Sequence, residues 1–174
     1  MSFLTRIFGE RSERAALEPL YRAVVAAGRD PSWYREGGVP DTIDGRFDVI
    51  ASLLALALLR IEQEGEEAKR ATILLTEVFI DDMDGTVRQM GIGDQVVGKH
   101  VGRMMSALGG RLAAYRESEA DDSAFAAAVR RNVFRDSPPS DETAESAARR
   151  LAGFRASLAA TPYADLLAGR LPRP

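Results

Sequence analysis

The run from Val49 to Leu59 (VIASLLALALL) carries no charge, and Asp48 and Arg60 close it at either end. A helix of that length rises roughly 16 Å, about half the hydrocarbon core of a bilayer. The run is too short to span a membrane and too apolar to face water. Over 47–64 the apolar residues cover most of a helical circumference. Phe47, Ile50, Leu54, Leu58 and Ile61 fall on one side, and Val49, Leu53 and Leu56 on another. A helix that is apolar all round is buried all round.

The remaining periodicity is helical too. Leu17, Leu20, Tyr21, Val24 and Val25 mark an apolar face over 11–28, with Pro19 a possible true start and Gly28 a stop. Residues 29–46 read as a loop, broken by Pro31, Gly37, Gly38, Pro40 and Gly45, yet weighted with Trp33, Tyr34, Val39 and Ile43. A helix carrying Ile73, Leu74, Val78 and Phe79 is expected to end near Asp82, followed by a connector over 83–93. A long helix over 94–117 has Val97, Val101, Met104, Leu108, Leu112 and Tyr115 as its core stripe. Its Gly98, Gly102 and Gly109 suggest close approach by a neighbouring backbone, because glycine otherwise weakens a helix. A short helix over 124–134 and a break at 137–140 follow. Ser140 is then placed to cap the next helix, with Asp141 and Glu142 in its first turn. Thr161 and Pro162 open a last short helix that Gly169 ends. No segment has β periodicity and no repeat is visible. The expected fold is all-α, one compact domain of six or seven helices over 11–174, preceded by a short apolar segment over 1–10.

Composition narrows the function. The 174 residues have a net charge of −3, which argues against a general nucleic-acid binder. The absence of cysteine excludes disulfides, thiolate catalysis and iron–sulfur ligation by this chain. All but Lys69 and Lys99 of the 23 basic residues are arginine, a compositional bias without mechanistic content. No secretory signal is visible at the start, whose apolar residues are interrupted by Thr5 and Arg6.

Few residues point to chemistry. Asp81, Asp82 and Asp84 form an acidic cluster that would suit a divalent cation, and hence a metal-dependent helical enzyme acting on diphosphates. Against this, an EF-hand register would put Ile80 and Gly91 at ligand positions, and no second acidic motif lies downstream. The plainer reading is a solvated turn paired with Arg88 or held by a partner. His100 has no marked nucleophile to serve. No catalytic residue, metal or cofactor is expected. Lys99, Arg103 and Arg111 recur at multiples of four and so share a helix face, suited to acidic groups on a partner or a phospholipid, or simply solvated. Trp33 and Tyr34 read either as buried anchors of the loop or as a binding hot spot. Asp41, Thr42 and Asp44 can cap the central helix. Phe3, Leu4, Ile7 and Phe8 have helical spacing beside Arg6, as in a segment lying in a membrane interface or docking on the domain.

Three stretches carry a resemblance. They are Pro40 to Asp48 (PDTIDGRFD), Thr76 to Asp84 (TEVFIDDMD), and Met90 to Asp94 (MGIGD) with Gly98 and Lys99. Together, over about 20–160, the chain resembles the ubiquinol–cytochrome c chaperone family. The resemblance implies an all-helical, non-enzymatic domain that assists assembly of the cytochrome bc1 complex by binding newly made cytochrome b, usually with a small partner subunit. Without a mitochondrial presequence the chain looks bacterial, which places it in the cytoplasm, with peripheral contact to the inner membrane. In this reading Asp41, Asp44, Asp81, Asp82 and Asp84 attract Lys/Arg-rich loops of the client. Trp33 and Tyr34 supply apolar contact, Arg46, Lys99 and Arg103 complete the partner surface, and Phe3, Leu4, Ile7 and Phe8 touch the membrane. A helical adaptor for another inner-membrane complex is the remaining reading.

Overall fold

The apolar run does form a helix surrounded by others. In the computed structural model, which describes residues 12–89, 94–135 and 137–174, α3 spans Ile43–Glu62. Every residue from Phe47 to Leu58 is buried. Around it lie α1 (Glu18–Gly28), α4 (Lys69–Gln89), α5 (Asp94–Glu117), α6 (Asp122–Phe134) and α7 (Asp141–Ala160), each in contact with α3. α2 (Ser32–Arg35) and α8 (Tyr163–Leu167) are single turns, and a 3-10 turn over Glu66–Ala68 precedes α4. No strand occurs among the described residues, so the fold is all-α and forms one core. No described helix is long and apolar enough to cross a membrane. Residues 1–10, with Phe3, Leu4, Ile7 and Phe8, lie outside the described residues.

The helix ends follow from local chemistry. The Thr42 hydroxyl accepts the Gly45 N–H at 3.1 Å and caps α3, so the helix starts several residues before the expected 47. Gly45 is required there, because a Cβ would fall 2.0 Å from the Pro40 carbonyl oxygen. Asp121 caps α6 through the Ala124 N–H, and Ser140 caps α7 through the Thr143 N–H, as expected from its position. Gly28 ends α1 where α1 presses on α3, since a Cβ would lie 2.5 Å from Ile50 Cγ1. Pro19 falls in the first turn of α1, and a separate helical turn over 12–15 precedes it.

Three expectations change. The loop over 29–46 contains the turn α2, which puts Trp33 into the core at 0% exposure. The expected connector is helical from Met83 to Gln89: Asp84, Gly85 and Thr86 look like a break, but Phe79, Met83 and Val87 continue the buried face at four-residue spacing. Among the described residues no neighbouring backbone approaches the glycines of α5. A Cβ on Gly98, Gly102, Gly109 or Gly110 would meet nothing within 4 Å.

Candidate functional site

The candidate partner residues fall into three places, set by the helices that carry them. The first is the corner made by α2 and the start of α3. Trp33 is its hidden part: the indole Nε1 donates to the Ala27 carbonyl at 3.0 Å, and the Arg150 guanidinium stacks 3.6 Å from the ring centre. Of the two readings of Trp33, its burial fits the anchor and removes it from any surface. Tyr34 is half-buried and donates its hydroxyl to the Gly28 carbonyl. Burial pushes its phenol pKa up. Asp41 and Arg46 face solvent and pair at 2.7 Å, and that bond holds the Asp41 carboxyl below its ordinary range. The Arg46 guanidinium lies 5.7 Å from the Tyr34 ring centre. Asp44 is exposed and accepts from Arg135 Nη1 at 3.0 Å.

The second place is the middle of α4. Asp81 and Asp84 lie one turn apart on one side and Asp82 on another, and each acid has its own partner. Asp81 pairs with Arg14. Asp82 turns toward α1 and accepts the Tyr21 hydroxyl at 2.6 Å. Burial, then the Asp82 bond, drive the Tyr21 phenol far above its ordinary pKa, so it stays a donor. Asp84 pairs with Arg88 at 2.7 Å, the partner expected from the sequence. Among the described residues no three acidic or imidazole groups converge as a metal site would need. In this arrangement Asp81, Asp82 and Asp84 are each held by a different partner.

The third place is the start of α5. Lys99 and Arg103 are exposed, and Arg103 lies 3.1 Å from the His100 ring. Arg111 does not belong with them: it is 3% exposed and points into the core. A spacing of eight residues advances a helix by 800°, which is 80° away from two full turns, so the face drifts.

Sequence reasoning missed what Arg111 does. Its Nη2 donates to Asp48 Oδ1 and to the Asn132 carbonyl, each at 2.6 Å, and its Nη1 donates to the Ala107 carbonyl. Arg135 Nε donates to the other Asp48 oxygen at 2.9 Å and thereby ties Asp44 to the same network. Burial pushes the Asp48 carboxyl up while Arg135 and Arg111 pull it down, and Arg135 is itself held up by the Asp48 bond. These tendencies oppose each other. With both carboxylate oxygens bonded to guanidinium groups, we read the cluster as ionic at neutral pH. Deeper in, the Tyr115 hydroxyl contacts Ser52 Oγ at 3.0 Å, and Ser52 donates to the Asp48 carbonyl. The signal was present: Arg111 sits three residues after Leu108 and four before Tyr115, on the core stripe itself. A polar seam therefore joins α3, α5 and α6 behind the exposed Asp44.

The family model described as ubiquinol–cytochrome C chaperone matches residues 35–173, most of the chain. The chain belongs to that family. The match contains all three stretches on which the resemblance rested, and begins and ends later than the 20–160 expected from them. A solved structure, the "Cbp3 homolog from Brucella abortus", is similar over 98% of this chain and 96% of that one, at 28% identity and a TM-score of 0.79. No curated protein sequence gave a significant match. The described part of the chain offers surface acids that are paired with arginines.

Proposed function

We propose that this chain is a non-catalytic assembly chaperone for the cytochrome bc1 complex, holding newly made cytochrome b before cofactor insertion and subunit assembly. The observation that carries the reading is family membership across 35–173. The similarity to the Brucella Cbp3 homolog over nearly the full length of both chains supports it.

The site suggests how holding works. Asp41, Asp44, Asp81 and Asp84 are each engaged by an arginine of this chain, and in each pair both partners are at least partly exposed. Exposed pairs of this kind contribute only about 0–1 kcal/mol. A Lys/Arg-rich loop of an unassembled membrane protein can take the place of Arg14, Arg46 or Arg88 on its carboxylate at little expense and release that arginine to water, while Arg135 stays bound to Asp48. Tyr34 adds a partly exposed aromatic edge next to Asp41, while Lys99 and Arg103 receive acidic groups of the same client. Trp33 and Asp82 act behind this surface: one fixes α2, the other fixes α1 on α4. Contact of Phe3, Leu4, Ile7 and Phe8 with the cytoplasmic side of the inner membrane would keep the domain near the client.

The test is an affinity pull-down of the tagged protein from gently solubilised membranes of its own organism, read by mass spectrometry. Cytochrome b enriched over other abundant membrane proteins is the expected result. Enrichment of a different membrane complex in its place would keep a binding role and overturn the named client.

A further inference from the structure

The opposite end of α3 opens into a cleft of about 440 Å³ between α3, α5 and α7. Asp44 and Glu62 are separated by roughly 27 Å of helix rise, so this cleft lies far from the corner at α2. Leu59 of α3 and Ala156 and Ala159 of α7 give it apolar walls. Leu59 is half-buried and both alanines are exposed, so this apolar surface faces water.

The charges around it do not balance. Arg60, Arg116 and Arg155 line the cleft, and each is answered by an acid of its own: Glu64 at 2.6 Å, Glu62 at 2.7 Å and Asp122 at 3.4 Å. Arg60 also donates to the Leu158 and Thr161 carbonyls at the end of α7. Glu119 is the acid left over. Among the described residues its one hydrogen-bond partner is the neutral Gln63 side-chain amide, at 3.4 Å. The lining also comes from the last turns of α3, α5 and α7, where the helix dipoles add partial negative charge. The surplus carboxylate and the three helix ends attract a cation and repel an anion.

We propose that this cleft docks a segment of a protein partner in which a basic side chain is flanked by aliphatic ones. The basic group sits beside Glu119, and its aliphatic neighbours cover Leu59, Ala156 and Ala159. A free amine would leave those walls in water, which favours a peptide segment as the occupant. The inference stands apart from the client surface, because none of Asp41, Asp44, Asp81 and Asp84 lines the cleft.

The probe is the peptide acetyl-GLKLG-amide, titrated into the full chain and followed by NMR at the Leu59 methyls and the Ala156 and Ala159 amides. Its control is the same peptide with the lysine side chain acetylated, which keeps the aliphatic residues and removes the charge. The expected result is a saturable shift of the cleft signals, with the charged peptide about fivefold tighter than the acetylated one. Glu119→Gln removes a surface charge and should abolish that difference, whereas Glu18→Gln on α1 should preserve it. No saturable shift in the cleft, shifts confined to the Asp41 and Asp81 surfaces, equal binding of the acetylated peptide, or an undiminished difference in Glu119→Gln would each overturn the proposal. None of these results alters what the pull-down says about cytochrome b.

Discussion

α3 and α5 are the two long helices that share the polar seam, and they are held in opposite ways. α3 is enclosed from Phe47 to Leu58. α5 buries a narrow stripe that includes Val97, Leu108, Arg111 and Tyr115, while Gly98, Gly102, Gly109 and Gly110 face open space. One helix is enclosed on every side along its middle, mostly by apolar packing. The other is fixed by one stripe and by an ion pair that reaches into the first. α5 therefore depends on Asp48–Arg111 far more than α3 depends on any single contact.

The comparison predicts a ranking. Asp48→Ala leaves Arg111 buried without a counter-charge and is expected to lower unfolding free energy by about 3–5 kcal/mol, measured by urea denaturation. A loss under about 1 kcal/mol would mean that the pair does not join the helices. Leu54→Ala, at the centre of α3, opens a cavity in the core and should cost about 2–5 kcal/mol in the same assay. Gly102→Ala should do the reverse and stabilise α5 by up to about 1 kcal/mol, because its Cβ enters empty space and alanine favours helix. A destabilised Gly102→Ala protein would show that something packs there.

The smallest effect concerns pH at α2. The Ser32 hydroxyl and backbone N–H donate to Asp30 and hold its carboxyl below the ordinary value of 3.8. For a depressed acid, the stabilisation is present above the unfolded pKa and fades as pH falls through the folded one. The Ser32 amide resonance should therefore move with a titration midpoint below the ordinary carboxylate value. Asp30→Asn should abolish that movement.

Much of this fold is visible in the sequence because burial and helical period coincide in it. The run at 49–59 requires a central enclosed helix, and Ser140 with Asp141 and Glu142 marks the start of α7. What stays hidden is where tertiary contacts override local signs. Gly85 and Asp84 resemble a break but lie in α4, whose Phe79, Met83 and Val87 keep it packed. Arg111 looks like part of a basic surface because its buried partner, Asp48, is 63 positions away. Trp33 lies in a stretch whose prolines and glycines conceal the single turn that drives it inward. The candidate site is legible in residue type and not in pairing, since a sequence does not show that Asp44 meets Arg135 or that Asp81 meets Arg14.

The most direct test of the chaperone account is site-specific photo-crosslinking in cells making cytochrome b. A photoreactive residue is placed at Tyr34 or Asp81, and at the exposed Ser146 of α7 for comparison. The account predicts cytochrome b adducts from Tyr34 and Asp81 and none from Ser146. Adducts from Ser146 alone, or none from any position while the protein is folded and abundant, would contradict it.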